Sequence, residues 1–304
     1  MESSAPPLET SGVFKNILVV ARNTEADQTA LARAKLCARS GATVTVLDVV
    51  YEPALEGYLG NKEIYEPLRS RVVRERRQRA EKLAETLAAG GIGATGSAVW
   101  DHPLEAVIAK EARRVHADLV IATPLPSDRG GLAHSDWRLV TTCPAPVLIA
   151  RSNATRAYRR VVAALDPYHA HAKPADLDAA ILANAQEVRA VTGATLTAIY
   201  CYTPLNYLAA DVAVPPPVFE DGRLEALHEL LDAANVPRTA ARLVEGAPHT
   251  VLERMLDGGD ADLVVMGALA RGRLKELVIG STAERVLHRA HGDVLIVKPA
   301  AAVS

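Results

Sequence analysis

One unit of about 145 residues is written twice in this chain, and that repetition constrains its fold more than any other feature. Lys15-Asn16-Ile17-Leu18-Val19-Val20 returns as Arg159-Arg160-Val161-Val162-Ala163-Ala164. Ser40-Gly41-Ala42-Thr43-Val44-Thr45 returns as Thr192-Gly193-Ala194-Thr195-Leu196-Thr197. Ala117-Asp118-Leu119-Val120 matches Ala261-Asp262-Leu263-Val264, and Val147-Leu148-Ile149 matches Val294-Leu295-Ile296. Echoes kept in the same order specify two copies of one domain, with the boundary in the polar segment Arg151–Arg156. The expected organisation is a polar tail over 1–12, a first domain over 13–151 and a second over 158–300.

Each copy alternates short β-branched runs with longer helical patterns. In the second copy strands are expected near 160–165, 195–201, 240–245, 262–266 and 293–297. Helices are expected over 174–191, 221–234, 248–256 and 281–290, the first of them ended by Gly193. Continuous apolar runs such as Leu263-Val264-Val265-Met266 suit strands covered on both faces. Strand–helix alternation with short connections implies right-handed crossovers and parallel sheets, hence an α/β protein of two five-stranded doubly wound domains. Such sheets take ligands at the carboxyl ends of their strands, where the winding reverses. In the second copy those ends are Leu165-Asp166 and Met266-Gly267.

Composition removes several classes of function. With 49% apolar and 23% charged residues the chain has ample material for two cores. A formal net charge of −2 provides no basic field for nucleic acid or an acidic membrane. Cys37, Cys143 and Cys201 are far apart, which suits a reducing compartment rather than a disulfide scaffold. MESSAPPLETSG carries two acids and lacks the apolar core of a secretory leader, and no apolar run is long enough to span a bilayer. The expectation is a cytoplasmic protein.

The stretch MGALARGRLKELVIGSTAE, residues 266–284, falls at the expected crevice. Gly267 at a strand end lets the backbone turn and approach a ligand, and Gly280 does the same before the last helix. The unpaired amides opening that helix, near Ser281 and Thr282, lie at its positive dipole end and suit phosphate. Arg271, Arg273 and Lys275 add cationic charge, and Asp166 can accept from ribose hydroxyls. The same letters also read as a capping box, with Ser281 at the N-cap and Glu284 three residues on, which requires no ligand.

The whole pattern resembles the universal stress protein family. Its ATP-binding signature, strand–Gly–x–x–Gly–nine residues–Gly–Ser/Thr, reads here Gly267-Ala268-Leu269-Ala270, then 271–279, then Gly280-Ser281, with Ala270 in place of the second glycine. The segments Trp100–Ile108, Asp136–Leu139 and Cys143–Val147 bring it close to the tandem-domain, E-type members. The resemblance implies adenine nucleotide alpha hydrolase-like domains of strand order 3-2-1-4-5, packed through their last strands as an internal pseudo-dimer that can pair further as a homodimer. It implies a non-catalytic stress-response role with ATP or ADP, with or without magnesium, in the second domain. Leu165, Asp166, Tyr200 and Cys201 would hold adenosine, and Ala164, Met266 and Ala270 belong to the same nucleotide-binding set. Gly267, Arg271, Gly280, Ser281 and Thr282 would hold phosphates.

The first copy lacks the motif: Asp166 corresponds to Arg22, Gly267 to Thr123, and Gly280-Ser281 to Ala133-His134. Arg22 and His134 read as surface side chains, with an anion role as the alternative. Trp137 and Cys143 read as packing residues. His169-Ala170-His171 beside Asp166 has two ligands of a metal site and no evident third, so no metal is expected. The long apolar loop Pro204–Phe219, and its counterpart Tyr51–Tyr65, read either as a lid or as packing between domains. The rival function is an apolar, lipid-like ligand or a protein partner on a decayed nucleotide site.

Overall fold

The computed structural model describes residues 14–22, 27–125, 131–151, 157–168, 176–203, 216–268 and 280–299. The first copy builds β1 (Asn16–Ala21), α1 (Asp27–Cys37), β2 (Thr43–Val50), α2 (Lys62–Ala88), β3 (Gly93–Trp100), α3 (Leu104–Arg114), β4 (Leu119–Ala122), α4 (His134–Thr142) and β5 (Val147–Ile149). The second builds β6 (Arg160–Ala164), α5 (Asp176–Thr192), β7 (Thr195–Tyr202), α6 (Pro216–Ala233), β8 (Ala241–Glu245), α7 (Pro248–Asp257), β9 (Leu263–Gly267), α8 (Ser281–Arg289) and β10 (Asp293–Val297). Within each copy the strands are parallel in the order 3-2-1-4-5. β5 and β10 pair antiparallel, with Leu148 opposite Leu295, and fuse the copies into one ten-stranded sheet.

The apolar runs divide by alternation, since successive side chains of a strand point to opposite faces. Ile17 and Val19 join a core on one face, while Leu18 and Val20 join a core on the other. Each core spans both copies: Val265 and Leu295 belong to the first, Val264 and Ile296 to the second.

The echoed motifs have local mechanical causes. Asp118 accepts the backbone N–H of Lys15 at 2.7 Å, and Asp262 accepts those of Arg159 and Arg160 at 2.8 Å. Each aspartate thus ties the start of its domain's first strand to the start of the fourth. Gly41 and Gly193 hold φ values of +83° and +72°, the left-handed region that L side chains avoid. The Gly193 N–H closes the end of α5 on the Arg189 carbonyl at 2.8 Å. A Cβ built on Gly193 would touch nothing within 4 Å, so the cost of Gly193→Ala is conformational alone. It is expected to be about 1 kcal/mol, lowering Tm by roughly 2–4 °C in thermal denaturation. An unchanged Tm would contradict this assignment.

Two expected loops are shorter than read. α6 begins at Pro216, not near 221, because proline fits a helix's first turn, where its missing N–H costs nothing. Residues 204–215, most of the loop expected as a lid or as packing between domains, lie outside the described residues. In the first copy a short 3₁₀ helix, Pro53–Tyr58, and the start of α2 occupy the stretch read as a loop.

The junction is held by charged groups that reach across it. Arg151, after β5, donates to the carbonyls of Leu287 and Ala290 at the end of α8. Lys298, after β10, donates to the Cys143 carbonyl at the end of α4. Basic groups at helix C-termini meet both unpaired carbonyls and the negative dipole end. Burial pushes the Lys298 ammonium down to about 8. Its folded pKa lies below the unfolded value of 10.5, so the desolvation cost is fully present below pH 8 and is relieved as pH rises to 10.5. Wild-type Tm minus that of Lys298→Met is therefore expected to climb across this window. A flat difference would remove Lys298 as the cause.

Candidate functional site

At the carboxyl ends of β6, β7 and β9 the second copy holds a cleft of about 320 Å³. Strand ends supply Ala164, Leu165, Asp166, Cys201, Met266 and Gly267, and Thr282 of α8 closes one side. With Tyr200 of β7, the structure therefore brings together eight of the residues expected from sequence. Gly280 and Ser281 adjoin Thr282 without lining the cleft, and Ala270 and Arg271 lie outside the described residues, as do His169, His171, Arg273 and Lys275.

The cleft has an apolar wall that motif reading passed over: Leu177 and Ile181 of α5, Ile199 of β7, and Pro248 and Leu252 of α7. The i, i+4 spacing of Leu177/Ile181 and of Pro248/Leu252 was visible, but any core-facing helix shows that spacing. On the polar side the Asp166 N–H donates to Asp178 Oδ1 at 3.2 Å. Asp166 Oδ1 is shielded from solvent and has no hydrogen-bond partner among the described residues. A buried acceptor left open is costly unless something fills it. Burial, then the Asp166 charge, raise the Tyr200 phenol. Burial pushes the Cys201 thiol up to about 11, so it stays neutral near pH 7.

Two glycines differ from the sequence reading. Gly267 is the last residue of β9, in register with Val297, and a Cβ there would lie 2.6 Å from Leu177 Cδ2. Its small size seats the Leu177 side chain under the cleft. The N-cap of α8 is Gly280, not Ser281, with φ −64°, ψ 151° and no side-chain cap hydrogen bond. The expected capping box is therefore absent. Ser281 sits inside the first turn, where it cannot act as the cap, and among the described residues no side chain caps the first amides. Gly280 holds a conformation open to any residue, so the backbone does not require glycine at that position.

The universal stress protein family profile matches residues 14–151 and again 157–298. The chain belongs to the universal stress protein family. Universal stress protein E of Photorhabdus laumondii is 26% identical over 94% of this chain and 95% of its own. That of Escherichia coli K12 is likewise 26% identical over 94% and 95%. A functionally unknown protein from Pseudomonas aeruginosa PAO1 has the same fold, with TM-score 0.71, 23% identity and coverage of 95% of this chain and 94% of that one. A universal stress protein from Archaeoglobus fulgidus superposes with TM-score 0.66 at 18% identity, covering 94% and 98%.

As a tandem universal stress protein the chain has two sets of strand ends, and they differ. In the first copy Arg22 is not the surface residue expected from sequence: its side chain is 3% exposed and ion-paired with Asp136, itself 0% exposed. The attraction of a carboxylate at the α4 N-terminus draws the guanidinium inward. His134 is exposed, Cys143 is buried, and Trp137 packs against the core as read. Among the described residues no His/Cys/Asp/Glu group has the arrangement of a metal site, and no helix is long and apolar enough to cross a membrane.

Proposed function

We propose that the second domain binds an adenine nucleotide, ATP or ADP, with or without magnesium, and that it does so as a non-catalytic stress-response protein. The observation that carries this reading is the open, solvent-shielded Asp166 Oδ1 at the rim of an apolar cleft. The apolar wall suits a base, Asp166 suits ribose hydroxyls, and the uncapped amides of α8 suit phosphate. Among the described lining residues Asp166 is the single carboxylate and there is no histidine. That set supports binding rather than turnover, which requires a group to activate water.

Titration calorimetry with magnesium-ATP tests the reading. Binding at micromolar to millimolar ligand is expected, and no heat at millimolar ATP would end it. Asp166→Ala is expected to weaken binding by about 10- to 100-fold, the loss of a charged hydrogen bond. Thr123→Ala in the first domain should leave affinity unchanged. The apolar lining favours one second reading, an apolar ligand in the same cleft. Mass spectrometry of what co-purifies with the folded protein separates the two.

A further inference from the structure

Three elements of the first domain converge on one carboxylate. Arg22, directly after β1, pairs through Nη2 with Asp136 Oδ1. The N–H of Leu125, in the segment after β4, donates to Asp136 Oδ2 at 2.8 Å. Asp136 is the third residue of α4, whose N-cap, Ala133, makes no side-chain cap hydrogen bond. A cation at a strand end, an amide from the following loop and a helix N-terminus are the parts of an anion site. Here the chain itself supplies the anion.

The guanidinium is also under-used. Arg22 Nε and Nη1 are buried without a partner among the described residues, although the side chain is only 3% exposed. In the second copy the third residue of α8 is Ala283, and Asp166 takes the place of Arg22. The charges at the two sets of strand ends are thus inverted. One presents a cation already met by an internal carboxylate, the other a carboxylate oxygen with no partner among the described residues.

We propose that the first domain carries a phosphate-type anion site filled by its own Asp136, a built-in ligand that holds this domain in the occupied state. The occupant lies at the same helix end that the proposed nucleotide reading uses in the second domain. That reading suggests inorganic phosphate as the probe, but the dependence on Arg22 is independent of it.

The test removes the internal anion and offers an external one. In the full-length Asp136→Ala protein at fixed ionic strength, phosphate at about tenfold over its Kd is expected to raise Tm by at least about 2 °C beyond the wild-type response. Arg22→Met/Asp136→Ala should show no more than the wild-type response. An Asp136→Ala protein with no excess response, or a double variant that responds equally, overturns the proposal. If Asp136→Ala is unfolded in chloride, phosphate at equal ionic strength should restore its far-ultraviolet circular dichroism, and failure to do so likewise overturns it. A failed nucleotide reading appears separately, as absent ATP heat in the wild type, and leaves the Arg22-dependent excess readable.

Discussion

Gly280→Val is expected to abolish detectable nucleotide binding while leaving the helix content of the protein intact. Gly280 is buried at the N-cap of α8 with φ −64° and ψ 151°. Valine adopts that backbone region readily, so the substitution brings no left-handed strain. Its cost falls on what approaches the helix end. A branched side chain beside Ser281 and Thr282 covers amides that the proposed phosphates would contact. Calorimetry with magnesium-ATP against circular dichroism separates the two effects. ATP affinity within about threefold of wild type would place the phosphates elsewhere, because a methyl-bearing side chain in the contact must cost more than 1 kcal/mol.

The largest stability loss is expected at the junction between the copies. Asp293, fully buried at the start of β10, accepts from Arg33 Nε at 2.5 Å, from the Tyr158 hydroxyl at 2.8 Å and from the Arg151 N–H at 2.7 Å. Arg33 belongs to α1 of the first domain, so one carboxylate ties that helix, the inter-domain segment and the central strand together. Asp293→Ala strips a 3%-exposed guanidinium of this partner, which costs about 3–5 kcal/mol for a buried pair broken on one side. The expected fall in Tm is on the order of 10 °C. Replacing both partners by apolar residues, Arg33→Met/Asp293→Leu, should recover most of it, since no charge is then left buried. A Tm for Asp293→Ala within 2 °C of wild type would show that water or another group readily replaces the carboxylate.

Much of the fold was legible because it follows from local periodicity. The runs at Ile17–Val20 and Leu263–Met266 are too continuous for a half-exposed strand. Gly41 and Gly193 recur because the same left-handed turn recurs. The strand-end part of the site was legible too, since glycines and an aspartate at strand ends are few and spaced by the motif. The apolar wall was not, because Leu177, Ile181 and Leu252 carry the same pattern as residues that serve only the core. The capping box was misread for a related reason. Whether Ser281 or Gly280 caps α8 depends on where the chain bends into the helix, and both registers fit the letters.

By itself the sequence determined that this is one α/β unit written twice, each copy a parallel sheet buried on both faces, with the nucleotide-like motif in only one of them. Repetition, period and residue chemistry are properties of short stretches, and short stretches carry them before the chain is folded. Only the tertiary structure decided that Arg22 turns inward to Asp136, that Leu177 occupies the space beside Gly267, and that Asp293 gathers Arg33 and Tyr158. Each of those contacts joins residues far apart in the chain. Their energies arise from burial and close approach, which exist only once the strands and helices of each copy have packed and, for Asp293, once β5 and β10 have joined the two.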